Sequence, residues 1–103
     1  MSYSLVVGDL EPDMFLTAAV NGTAKDLSDA DTVELRWLKP DGTEVYVSLD
    51  EVDFELGQVK RTWVAGDSDD AGVHRGRIVA TWAGDEPQTF PNDGSWFIWW
   101  VYE

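Results

Sequence analysis

The chain of 103 residues is one domain's worth, long enough to bury a single core but too short to divide into two. About a quarter of it is Leu, Ile, Val or Phe, above the roughly 20% level below which chains tend to stay disordered. Twenty acidic side chains against seven basic ones leave a net charge of −13, a field that repels nucleic acid and anionic membranes, and the absence of cysteine removes disulfides, thiolate metal clusters and cysteine nucleophiles together.

Met1 to Val7 lacks the basic segment and long apolar run of a secretory signal. The most apolar run, Trp96 to Tyr102, is far shorter than the ~20 residues of a helical membrane span, so a soluble protein is expected. Within residues 1–12, an N-terminal arm or edge strand, Ser4 to Val7 reads as extended, and Phe15 to Val20 reads as the next strand. The clearest strand is Val33 to Leu38, where Val33, Leu35 and Trp37 fall on one face and Glu34 and Arg36 on the other. Pro40-Asp41-Gly42-Thr43 supplies a fixed φ and a tolerated positive φ, reversing the chain into Glu44 to Leu49.

In Leu49 to Gly57 the carboxylates Asp50, Glu51, Asp53 and Glu55 interrupt Val52, Phe54 and Leu56, a pattern suited to the edge of a sheet, where charge discourages further pairing. Gln58 to Val64, Val73 to Trp82, Gln88 to Phe90 and Ser95 to Tyr102 follow, each bounded by turn residues. In the Val73 to Trp82 strand, His74, Gly76, Ile78, Ala80 and Trp82 share the core parity, and Arg75 and Arg77 point away. Seven or eight short strands at intervals of about 8 to 12 residues, with no long helix, repeat or linker, predict one all-β antiparallel sandwich over residues 1–103.

Catalytic candidates are few. His74 is the single imidazole, it carries core parity, and no Gly-x-Ser-x-Gly elbow accompanies it. Paired carboxylates among twenty acids arise by chance, and no glycine cluster precedes Lys-Ser or Lys-Thr. Asp67-Ser68-Asp69-Asp70-Ala71-Gly72 offers hard oxygen ligands for calcium but lacks the spacing and distal Glu of an EF-hand loop; Asp67 and Asp70 accepting backbone N–H bonds in a tight turn is the reading adopted. No catalytic residue, metal or cofactor is therefore expected.

The aromatic terminus stands out. In Trp96-Phe97-Ile98-Trp99-Trp100-Val101-Tyr102 both parities are apolar, yet one face of a strand normally meets the core. Either a loop or the Met1 to Val7 segment covers the outer face, or that face anchors a partner by aromatic burial or strand addition. The expectation adopted is that Phe97, Trp99 and Val101 bind a partner while Trp96, Ile98 and Trp100 enter the core; the alternation by itself leaves the reverse open. Trp faces stacking on sugar rings are a third reading.

Two segments carry a resemblance. Gly66 to Gly76, with Asp69-Asp70-Ala71-Gly72-Val73-His74, is similar to the Asp-x-Ala-Gly-x-Tyr corner of immunoglobulin-like domains, with His74 in place of the tyrosine. Together with Trp63-Val64-Ala65-Gly66-Asp67, Phe90-Pro91-Asn92-Asp93-Gly94 and the Pro40 to Thr43 turn, the pattern resembles the sandwich module of tailed-phage virion proteins, found in baseplate upper proteins and in tail-collar and minor virion proteins. The resemblance spans roughly residues 14 to 102 and is most specific in the last forty. It implies an immunoglobulin-like sandwich located in a virion, a non-catalytic accessory docking on capsid, neck or tail proteins or on copies of itself; a carbohydrate-binding adhesion module is the alternative.

Overall fold

The computed structural model describes residues 3–84 and 86–103 and forms them into short strands. In chain order these are β1 (Tyr3–Val6), β2 (Met14–Thr17), β3 (Ala19–Val20), β4 (Thr23–Ala24), β5 (Thr32–Leu38), β6 (Glu44–Ser48), β7 (Asp50–Asp53), β8 (Gln58–Arg61), β9 (Gly72–Trp82), β10 (Glu86–Phe90) and β11 (Phe97–Tyr102). The larger sheet has the order β1-β11-β9-β5-β6, with β10 also paired to β9; the smaller has the order β2-β8-β7, and β3 and β4 form a separate hairpin. All pairings are antiparallel except β1 with β11, which run parallel. The all-β expectation is met, but the described strands number eleven rather than seven or eight, because short irregular segments divide them, and the β1–β11 pair departs from the expected antiparallel arrangement. Met1 and Ser2 of the expected N-terminal arm lie outside the described residues.

Alternation decides which sheet faces meet. Met14, Leu16 and Val59 of the smaller sheet pack with Leu35, Trp37, Ile78, Ala80 and Trp99 of the larger one, closing a sandwich-like core. Full burial of each large apolar side chain contributes about 1.5–3 kcal/mol. His74, Gly76, Ile78 and Ala80 are buried as their parity predicted. Trp37, Trp63 and Trp99 form an aromatic nest with centroids 5.6 to 6.0 Å apart, and His74 stacks on Trp99 at 5.6 Å and 16°.

Two elements differ from their predicted form. Phe15 to Val20 divides into β2 and β3, and the chain then turns at Asn21-Gly22, both at positive φ, into β4. Asn-Gly between two extended pairs is a strong two-residue hairpin signal, overlooked because the flanking strands are only two residues long. The acidic segment does take the sheet edge as β7, but ends in a short 3-10 turn, Phe54–Leu56, closed by Gly57 at φ 68°. A Cβ there would stand 2.5 Å from the Ala18 carbonyl oxygen and 2.7 Å from that of Lys25. Gly57→Ala is expected to cost about 2 kcal/mol, since left-handed backbone alone disfavours a side chain by about 1–2 kcal/mol; a denaturation midpoint equal to that of the parent would contradict it.

Candidate docking face

The orientation of β11 follows from its neighbour β9. Phe97, Trp99 and Val101 lie opposite Gly76, His74 and Gly72. A Cβ on Gly76 would meet Leu35 Cδ1 at 2.7 Å and the Trp99 ring at 3.0 Å, so the missing side chain makes the room that the Trp99 indole occupies. Trp99 is consequently 1% and Val101 2% exposed, and Phe97 is half-buried against the core.

This reverses the expected assignment. Of the three residues expected to meet a partner, Trp99 and Val101 are core residues and Phe97 packs beside them. Of those expected in the core, Ile98 is 50% and Trp100 42% exposed, and Trp96 is half-buried. Tyr102, at 55%, continues the exposed row. The usable signal lay in β9, whose inward glycine calls for a large inward ring on the paired strand.

β1 does not cover this row. It lies beside β11 in the plane of the sheet, with Ser4 opposite Trp100 and Val6 opposite Tyr102, and exposed Val6 widens the apolar stripe. The Trp100 and Tyr102 rings lie within 9° of parallel, with centroids 6.4 Å apart. At the other end of the row the Arg77 guanidinium sits 3.8 Å from the Trp96 ring centroid and donates to the carbonyls of Gly94 and Ser95, while Arg36 approaches the same ring at 5.7 Å and pairs with Glu44 at 3.1 Å. Hydrogen bonds from the Ser95 N–H and hydroxyl hold the Asp93 carboxyl below its usual pKa and shape the turn that delivers Trp96.

Around the corner, an open groove of about 760 Å³ runs between the free edge of β2 and the start of β11, lined by Met14, Phe15, Leu16, Trp96, Phe97 and Ile98 among others. On its rim the Tyr3 hydroxyl donates to the Pro12 carbonyl and accepts from the Trp63 indole at 2.6 Å. Burial raises the Tyr3 pKa, with the Trp63 hydrogen bond opposing.

No protein-family model, curated protein or solved structure matches the chain.

The other sequence candidates are engaged in holding the fold. His74 is fully buried; its Nδ1 accepts from the Trp37 indole at 2.9 Å, and Nε2 lies 2.8 Å from the Asp70 carbonyl, to which it donates. Both nitrogens are occupied. Burial lowers the His74 pKa, and the Asp70 carbonyl opposes that shift, so the neutral ring with its proton on Nε2 fits both contacts. In the acidic loop, Asp67 accepts from buried Arg61 at 2.9 Å and from the Val64 N–H at 2.9 Å, and the Ser68 hydroxyl donates to the Asp9 carbonyl at 2.7 Å. These contacts tie the loop to β8 and to the segment after β1; Asp67 takes the turn role foreseen for it, whereas Asp70 contributes its backbone carbonyl, and its carboxylate accepts no backbone N–H among the described residues.

Proposed function

We propose that the chain is a non-catalytic docking module, and that its docking surface is the outer face of the larger sheet. One observation carries this reading: β11 presents Ile98, Trp100 and Tyr102 to solvent while its opposite parity is already buried. Solvent-facing Trp and Tyr on a rigid strand provide large contact area at little entropic cost, the composition of interface hot spots. A standard interface buries ~800 Å² per partner, more than one strand row offers. Val6, Arg75 and Tyr46 extend the surface across the sheet.

An immunoglobulin-like arrangement fits the fold. The order β1-β11-β9-β5-β6 over β2-β8-β7 places a buried Trp37 on the strand before the edge hairpin, as immunoglobulin domains do on their third main strand. His74 reaches back to the Asp70 carbonyl in the manner of a tyrosine corner. With the resemblance to phage sandwich modules, this supports a capsid, neck or tail protein as the partner and the virion as the location.

The decisive substitution is Trp100→Asp. The purified chain should bind virions assembled without it, and Trp100→Asp should weaken binding roughly thirtyfold or more, the loss of a hot spot worth about 2 kcal/mol, with the fold preserved by circular dichroism. Unchanged binding by the variant would remove this face from the reading. Retention on a glycan array that Trp100→Ala abolishes would favour the carbohydrate-binding module instead.

A further inference from the structure

The outer face differs in charge from the rest of the molecule. Three of the chain's seven basic side chains, Arg36, Arg75 and Arg77, occupy its strand positions, against two of its twenty carboxylates, Glu34 and Glu44. The face is therefore close to neutral, and the negative charge lies elsewhere.

The arginines are also arranged in a way that folding alone does not favour. Arg36 and Arg77 stand directly opposite each other on β5 and β9, a like-charge pair that costs stability. Trp96 accepts both guanidinium groups at its ring, and Glu44 answers only Arg36. Arg36 Nε is buried without a hydrogen-bond partner among the described residues. Arg75, two residues along β9 and directly opposite Ile98, is exposed and makes no ion pair among the described residues. In a chain with nearly three carboxylates for each cation, Arg75 presents to solvent donors that the chain's own acids, among the described residues, leave unused.

We infer that the docking face recognises a partner protein surface on which carboxylates stand among apolar side chains, the carboxylates meeting Arg75 and its neighbours while the apolar groups cover Ile98, Trp100 and Tyr102. The inference rests on the docking reading above and adds the chemistry of its partner. Net charge narrows the choice further. A polyanion is repelled by the whole molecule, and a second copy brings another −13, so the occupant is a different protein with a few well-placed carboxylates.

The test uses short immobilised peptides that combine Leu and Phe with Asp, and matched peptides with Asn in place of each Asp. Asp peptides should be retained about tenfold more tightly than their Asn counterparts, a charge-assisted hydrogen bond's difference of about 1.4 kcal/mol, and the preference should shrink in high salt. Arg75→Gln should erase the preference, and Trp100→Asp should abolish retention of both sets. Equal binding of Asp and Asn peptides, or a preference that survives Arg75→Gln, overturns the inference while leaving the docking reading intact. Retention unaffected by Trp100→Asp overturns the docking reading itself. Retention of neither peptide set overturns the inference, as does sedimentation showing self-association that Trp100→Asp abolishes, which would assign the face to a second copy.

Discussion

Trp99→Ala is expected to lower the free energy of unfolding by about 3–5 kcal/mol, whereas Trp100→Ala, one residue along the same strand, should cost about 1 kcal/mol or less. The two indoles differ by which side of β11 they leave. Trp99 stacks on His74 and packs against Trp37 and Trp63, so its removal opens a cavity in the centre of the aromatic nest. Trp100 stands over Val73 on the solvent side. A domain of this size commonly has ~5–15 kcal/mol of stability in total, so the Trp99 change takes a large share of it. Urea denaturation measures both, as a shift in midpoint at constant slope. Equal losses from the two substitutions would contradict the orientation of the strand.

His74→Leu should cost about 2–4 kcal/mol even though it places an apolar residue in the core. It leaves the buried Trp37 indole N–H without an acceptor, an orphan that costs roughly 1–3 kcal/mol, removes the donor to the Asp70 carbonyl and takes away the ring stacked on Trp99. His74→Gln, which carries an acceptor and a donor, should recover part of the loss. Glutamine also separates the effect of pH. Because burial lowers the His74 pKa, the unfolded chain takes up a proton that the folded chain refuses between the two values. The stability linked to His74 is therefore fully present above about pH 6.5 and drains away as the pH falls towards the folded pKa, at about 1.4 kcal/mol per unit. The carboxylates titrate in both proteins, so the difference in stability between the parent and His74→Gln isolates the imidazole. A difference that stays flat from pH 7 to 5 would show that the ring is not held neutral.

Much of the architecture could be read from residue order. Val33, Leu35 and Trp37 alternate with charged neighbours, and their strand is half-buried as that pattern requires. The parity of His74, Gly76 and Ile78 was equally clear, because Arg75 and Arg77 occupy the other side. The acidic interruptions of Val52 placed β7 at an edge for an electrostatic reason that holds locally. The Asn21-Gly22 turn was present in the sequence as well, but strands of two residues gave no periodicity to flank it.

The last strand lies beyond such reading. Alternation reports a buried face only when the two faces differ in polarity, and from Trp96 to Tyr102 they do not. Residue order alone specifies a β protein whose last segment holds more aromatic surface than one core-facing side can place. Which rings are left over is set by how the strands pack. The physical reason is steric: Trp99 fits where Gly76 leaves room beside His74 and Leu35, and once that ring is inside, a period of two turns Ile98, Trp100 and Tyr102 to the solvent side, where Arg75 and Arg77 already stand.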